Sequence, residues 1–377
     1  MKTMQNKPIT VIQLLPALNS GGVEKGTLEI GRYLAERGHR SIVVSAGGRL
    51  VRQLVDEGSQ HIQADIGAKR LSTLKYIPWL RQLMIDRRPD IVHVRSRLPA
   101  WVTYLAWQSL PKNQRPRLIS TFHGQHSVNR YSAIMTRAER VITVSMMMRD
   151  YILQSYPDVA PDKLTVIYRG IDTSLYHPGY RPAATWLADW FDEYPQTRGR
   201  QLLTFPGRLS RRKGVEDFIR IVAELRRFGL PVHGLIVGEP HPKKQSYRVE
   251  LEQWIAQQQL GGDVTFTGHR SDLLNILAIS RVVFSLSKEP ESFGRTTTEA
   301  LSLGIPVIGY RHGGVQEQLD ALFPEGGIPV NDLGAAIETT QALLDGKPVS
   351  IRPNDLFTLA NMCSQTLAVY LELLGRH

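Results

Sequence analysis

A chain of 377 residues is too long for one ordinary core and suits two domains of roughly 150 to 200 residues each. Its 42% hydrophobic content excludes global disorder, and its single cysteine, Cys363, excludes an intrachain disulfide and fits a reducing compartment. The net charge of +11 is one-sided: residues 1–180 carry 25 Lys and Arg against 13 Asp and Glu, while residues 181–377 carry 21 against 22. Such a field draws nucleic acid, phospholipid or a phosphorylated glycan, although a basic face kept for solubility accounts for it equally well. Residues 1–10 lack the apolar run of a secretory signal, and no stretch of about 18 apolar residues exists to span a bilayer. The expectation is a soluble, cytoplasmic protein.

The first strand is expected at ITVIQLL (9–15). PALNSGGVEKG (16–26) follows, with Gly21 and Gly22 just before a helix, where bare amides and the positive dipole end favour an anion. An ordinary glycine turn is the plainer reading. GxGxxG is absent at both domain starts, which argues against an NAD enzyme. In VEKGTLEIGRYLAERGH (23–39), Val23, Thr27, Ile30 and Leu34 form one helical stripe that Gly38 stops. A strand at SIVVS (41–45) comes next. Then KRLSTLKYIPWLRQLMIDRRPD (69–90) interleaves Lys69, Arg70, Lys75, Arg81, Arg87 and Arg88 with Tyr76, Ile77, Trp79, Leu80 and Leu83. Such a helix can rest on an anionic membrane surface or simply pack on the sheet with its arginines in water. DIVHV (90–94) is followed by VRSRLPAW, which adds Arg95 and Arg97; RLISTF (117–122), RVITVS (140–145) and LTVIY (164–168) complete the first series. His123 sits at the end of its strand, where a structural role suits it as well as a functional one.

PGYRPAATWLADWFDEYPQTRGR (178–200) breaks the series, and a second begins: QLLTF (201–205), VHGLIVG (232–238), DVTFTG (263–268), RVVFSLS (281–287) and IPVIGY (305–310). Nearly continuous apolar strands separated by helices mean parallel sheets covered on both faces, so each half is a doubly wound α/β layer. The long amphipathic segment 355–374 is a final helix that could cross back onto the first domain. In PGRLSRRKGVEDF (206–218), Arg208, Arg211, Arg212 and Lys213 crowd a helix start near Gly214, an arrangement that costs stability unless an anion binds. A solvated charge run is the alternative. EPESFGRTTTEALSLGIPVI (289–308) places Glu291 and Glu299 around a helix start near Phe293–Gly294, followed by Arg295, with Gly304 and Pro306 as its stop. Eight residues of helix span up to about 12 Å. A retaining glycosidase needs its carboxyls about 5–5.5 Å apart, so the pair suits two anchors along one elongated ligand better than hydrolysis.

GRLSRRKG followed by EPESFGRTTTEALSLGIPVIGYRHGGVQE resembles the retaining glycosyltransferases of family 4, and in particular those of lipopolysaccharide core and surface polysaccharide. SGGVE, TFHG (121–124), VITVS (141–145) and YRGID (168–172) fall where that family has its landmarks, so the resemblance spans nearly the whole chain. It implies the GT-B fold: two facing Rossmann-like domains, an acceptor-binding one over residues 1–180 joined by the C-terminal helix at about 355–377, and a donor-binding one over 181–354. It also implies roles. Arg208 and Lys213 would bind the donor diphosphate, Glu291 the hydroxyls of the transferred sugar and Glu299 the ribose. Gly21 and Gly22 would lie against the phosphates and His123 would contact the donor sugar. Phe293, Gly294 and Arg295 would complete the donor site. Arg169 stands where the family often has asparagine and is given no role beyond a second cation.

The reaction so implied moves a sugar from a nucleotide diphosphate-sugar to a hydroxyl with retention. The donor is a substrate, and no metal or other cofactor is expected, since neither DxD nor a His/Cys set with ligand spacing occurs. The expected acceptor is an anionic, lipid-linked glycan such as lipopolysaccharide core, met by Arg95, Arg97, Lys75, Trp79 and Arg81. The enzyme is expected to lie peripherally on an anionic membrane, its inner face, without nucleic acid as a partner. A sugar-nucleotide epimerase of the same architecture and an exopolysaccharide or capsule glycosyltransferase are the competing activities. A nucleic-acid-binding protein and a silent scaffold account for the clustered cations and carboxylates less well.

Overall fold

The computed structural model describes residues 7–19 and 21–376; Met1–Asn6 of the opening decamer, Ser20 of SGGVE and His377 lie outside the described residues. The chain divides into two compact units, Met1–Gly170 with Leu359–His377, and Ile171–Thr358. Each is wound around one parallel sheet.

In the first unit the strands are β1 (Thr10–Leu14), β2 (Arg40–Ser45), β3 (Gln60–Gln63), β4 (Ile91–Val94), β5 (Arg117–Phe122), β6 (Arg140–Thr143) and β7 (Leu164–Val166). Their order across the sheet is β3-β2-β1-β4-β5-β6-β7. Ile12 on β1 stands between Ile42 on β2 and Val92 on β4. All three are buried, which is why these strands read as unbroken apolar runs rather than alternating ones. The helix Gly22–Glu36 lays Ile30 and Leu34 on this sheet. The C-terminal helix Leu359–Leu373 packs on the same layer through Met362, Cys363, Val369 and Tyr370, against Val11, Ile91, Ile119 and Ile142. The last helix therefore belongs to the unit that opens the chain.

The second unit contains β8 (Gln201–Pro206), β9 (Val232–Val237), β10 (Val264–Gly268), β11 (Val282–Ser285), β12 (Val307–Tyr310) and β13 (Gly327–Ile328), in the order β10-β9-β8-β11-β12-β13. Phe218, from the helix Val215–Arg227, sits between Phe205 and Phe284 with ring centroids 5.5 and 5.3 Å away and joins β8 to β11 through one aromatic layer.

Both units have the two-winged parallel architecture expected from the alternating pattern. Two strands, β3 and β13, were not anticipated. The division falls after Gly170, ahead of the Pro- and Trp-rich stretch, whose helix Ala184–Glu193 packs Trp190 beneath the second sheet. In each sheet the first strand is central and the winding direction reverses beside it, between β1 and β4 and between β8 and β11. At such a reversal the two flanking loops diverge and leave a crevice at the carboxyl ends of the strands.

Candidate functional site

At the reversal in the second unit, Val283 of β11 pairs with Thr204 of β8. The loop after β8 runs through exposed Arg208 into a short turn, Arg211–Lys213, and then the helix Val215–Arg227. Gly214 joins them with φ 78°, and a Cβ there would lie 2.1 Å from the Leu286 carbonyl oxygen. Glycine is needed on both counts. The close approach brings the two loops together, and Lys288 N–H donates to the Arg212 carbonyl at 2.8 Å. Lys213 Nζ then reaches Glu291 Oε1 at 2.7 Å.

Glu291 is anchored from several sides. The Ser287 hydroxyl donates to the same Oε1. The amide of Gly314 donates to the Glu291 carbonyl at 2.7 Å, and His312 Nε2–H donates to the Ser287 carbonyl at 2.6 Å. Burial alone would raise the Glu291 carboxyl, but Lys213 and Ser287 outweigh it and hold the group below the usual carboxylate range. Buried Asp217 accepts from Tyr310 Oη at 2.6 Å and from Lys288 Nζ at 3.1 Å, tying the first turn of the helix to the end of β12 and to the loop after β11.

The four cations read as one cluster have separate fates. Arg211 pairs with Glu216 and Glu250, Arg212 lies 3.3 Å from Glu289, and Lys213 is held by Glu291. Arg208 alone of the four has no side-chain partner among the described residues. Glu291 precedes the helix Arg295–Ser302, so helical rise does not measure its separation from Glu299. Glu299 is buried, with Arg295 Nε 3.7 Å away on the preceding turn. Gly294 has φ 87°, and a Cβ there would meet Val315 at 2.9 Å. Phe293, expected at the ligand, is a core residue: its ring packs edge-on against Phe357, centroids 5.7 Å apart, leaving only its backbone to face a ligand. Sequence reasoning missed Ser287, His312, Asp217, Lys288 and Tyr310 as supports. The signal available was the pair Gly313–Gly314, whose lack of side chains lets the start of the helix Gly313–Leu322 approach residues 291–293.

At the reversal in the first unit, Gly21 has φ 135° and Gly22 opens the helix Gly22–Glu36. The Gly22 carbonyl accepts from Arg169 Nη2. A Cβ on Gly26 would lie 2.1 Å from that guanidinium, so Arg169 lies buried against the opening turns of the helix. Arg95, expected to face an acceptor or membrane, is 3% exposed and donates through Nε and Nη2 to Gln13 Oε1 at 2.9 and 2.6 Å. Its donors are turned inward because β1 and β4 are neighbours and their inward polar side chains need each other. His93 is also buried, with Nδ1 2.7 Å from Tyr370 Oη and Nε2 2.7 Å from Thr121 Oγ1. Beside them His123 has a buried Nε2 with no hydrogen-bond partner among the described residues. Burial first, then the Arg169 and Arg95 guanidinia, keep His123 well below its ordinary pKa and therefore neutral at pH 7.

Arg97 donates to Ser132 Oγ at 3.1 Å and lies over the Tyr131 ring. In the basic segment, the helix Tyr76–Arg87 buries Leu80, Leu83 and Met84. Trp79 and Arg81 are half-buried, with Trp79 edge-on to Tyr76 at 5.9 Å. Exposed apolar surface lies instead in the preceding turn, at Leu71 and Leu74, beside exposed Lys75. The helix packs against the helix Arg97–Gln108, and the turn is what meets solvent. No helix among the described residues is long and apolar enough to cross a membrane, and no group of three or more His, Cys, Asp or Glu among them is arranged to hold a metal ion.

The chain is similar to the N-acetyl-alpha-D-glucosaminyl L-malate synthase of Bacillus anthracis, at 26% identity over 323 residues, 81% of this chain and 79% of the relative. Among solved structures it is similar to a glycosyltransferase from Rickettsia africae, with TM-score 0.86 and 26% identity over 99% of this chain and 100% of that one. It also shares its fold with HepE of Anabaena, solved with UDP-glucose, at TM-score 0.79 and 20% identity over 97% and 99% of the two chains. Residues 20–175 match the model of Glycosyltransferase Family 4, and residues 188–347 match that of Glycosyl transferases group 1. On these matches and on its two parallel-sheet units, the chain belongs to the family 4, group 1 glycosyltransferases of the GT-B fold.

Proposed function

We propose that this glycosyltransferase moves a sugar from a nucleotide diphosphate-sugar to a hydroxyl of an anionic, lipid-linked glycan, with retention at the anomeric carbon. The observation that carries the reading is the Lys213–Glu291 contact of 2.7 Å, made where β8 and β11 end, with exposed Arg208, which has no side-chain partner among the described residues, on the same loop. The contact sets a cation suited to a diphosphate beside a carboxylate suited to sugar hydroxyls, so one donor can engage both. Breaking the bond to the diphosphate develops charge on the departing oxygen, and Arg208 and Lys213 are the groups on hand to stabilise it. The departing phosphate accepts the proton of the attacking hydroxyl, so no separate base is required.

Glu299 is assigned to the ribose, Gly294, Arg295 and the backbone of Phe293 to the donor, and Gly21, Gly22 and His123 to phosphates and sugar. These assignments follow from the family resemblance. A neutral His123 can accept or donate a hydrogen bond to a sugar hydroxyl without adding charge. The fold shared with a protein solved with UDP-glucose supports a nucleotide-sugar donor. The basic balance of residues 1–180, with Lys75 beside exposed Leu71 and Leu74, supports an anionic acceptor and a resting place on anionic membrane.

The test is release of nucleoside diphosphate from a panel of nucleotide-sugars, with and without a lipopolysaccharide-core acceptor. Lys213→Ala and Arg208→Ala are each expected to lower turnover about 100- to 1,000-fold, the scale for removing one donor to a developing oxyanion. Undiminished turnover in both would overturn the assignment. Donor turnover that needs no acceptor would favour the epimerase.

A further inference from the structure

The first unit has a depression of about 330 Å³ lined by Trp101, Tyr104, Arg130, Ala133, Ile134 and Arg137. It lies between the helix Arg97–Gln108 and the turn Ser132–Thr136, and it shares no residue with the sites described above. Its size is close to the lower end of small-ligand pockets, which begin at about 300 Å³.

One wall is aromatic. Trp101 and Tyr104 are three residues apart on one helix and so present neighbouring rings. The indole Nε1–H of Trp101 donates to the Tyr131 carbonyl at 2.9 Å, which fixes the ring with its polar atom satisfied. Tyr104 stacks on Trp107 at 5.9 Å with the planes 22° apart, and its hydroxyl accepts from Gln108 Nε2 at 3.0 Å. What these side chains leave over is apolar face. The floor is Ala133 and buried Ile134. Arg130 and Arg137 are exposed, neither guanidinium has an ion pair among the described residues, and no carboxylate lines the depression. An apolar ligand would leave two arginines unanswered, and a bare anion would leave the rings unused. Aromatic faces stack on the C–H faces of a pyranose, while guanidinium forks take phosphate.

We propose that this depression is a subsite for a phosphorylated saccharide, the sugar ring against Trp101 and Tyr104 and the phosphate on Arg130 and Arg137. That the occupant is part of the acceptor rests on the function proposed above; that the site binds a sugar phosphate does not.

Isothermal titration calorimetry with glucose 6-phosphate, glucose and inorganic phosphate as probes separates the two. Glucose 6-phosphate is expected to bind saturably, and glucose and inorganic phosphate each at least tenfold more weakly. Arg130→Gln with Arg137→Gln should weaken glucose 6-phosphate at least tenfold without moving the melting temperature, since both side chains are at the surface. Lys213→Ala should leave this binding unchanged, because it disables only the donor loop. No saturable binding, equal binding by the double variant, or inorganic phosphate binding as well as the sugar phosphate would each overturn the subsite. Binding that survives in Lys213→Ala while every nucleotide-sugar fails to turn over in the native protein would keep the subsite and sink the donor reading.

Discussion

Lys213 and Glu291 stand 78 positions apart, yet their meeting depends on one residue with no side chain. Gly214 takes a left-handed φ of 78° against the Leu286 carbonyl, and this lets the loops after β8 and β11 touch. Gly214→Ala must both adopt a conformation that costs about 1–2 kcal/mol and displace a backbone oxygen 2.1 Å away. Urea unfolding of the second unit is expected to show a loss of about 2 kcal/mol or more, with turnover falling because Lys213 shifts. A variant of unchanged stability would mean that the two loops do not depend on this contact. The acids and bases at the site were legible because a cluster of charges between an apolar strand and a helix start adds nothing to the core and repels itself unless a ligand or counter-charge joins it. Their partners were not. Nothing in the order of residues says that Arg211 reaches Glu250 or that Arg95 turns inward to Gln13, because both depend on which strands become neighbours. Arg169 shows the same limit: an arginine with no assigned role proves to pack over Gly26, a glycine whose purpose is equally silent in sequence.

At the scale of elements, the strands with near-continuous Val and Ile runs were plain, because a strand buried on both faces has no room for alternation. β3 escaped because it is an edge strand, QHIQ, with no fully buried side chain, and β13 because two residues carry no pattern. The C-terminal helix was legible as a helix and its return to the first domain was expected, but the contact that fixes it there was not. It is fixed by a polar contact inside an apolar face: Tyr370 Oη at 2.7 Å from buried His93, which bonds in turn to Thr121. Tyr370→Phe keeps the ring volume and strips one partner from a buried imidazole, a change that costs about 1–3 kcal/mol. Thermal unfolding should show a lowered melting temperature, and amide exchange along Leu359–Leu373 should quicken more than in Val215–Arg227. If exchange rose equally in both helices, the contact would not be specific to docking this element. The test also bears on function, since His93, Arg95 and His123 line the same end of the sheet, and a loosened helix would unsettle their packing.

Across the whole molecule, titration follows from how many imidazoles are hidden. Burial, with Arg95 beside it, puts His93 well below its ordinary pKa; His123 is lowered by burial and by Arg169; His233 is lowered to about 4 by burial and Arg200. His39, His61 and His126 are also lowered, with burial first among the causes. In the unfolded chain each takes up a proton near pH 6.5, while the folded chain resists until lower pH. The unfolded state therefore binds more protons between these values, and stability rises with pH through that window. Stability should be level above about pH 7 and decline as pH falls through 6.5, each fully neutral histidine adding a slope of about 1.4 kcal/mol per pH unit. The depressed carboxyl of Glu291 adds its own loss only further down, as pH falls through its folded value. Urea midpoints at closely spaced pH values, with His233→Gln as the comparison, measure this directly. His233→Gln removes one neutral imidazole from the second unit, so the decline between pH 6.5 and 4 should be shallower than in the native chain by about the slope of one histidine. A native midpoint constant from pH 7 to pH 5 would show that these imidazoles are reached by protons in the folded state, and would remove the basis for treating His123 as a neutral hydrogen-bonding group.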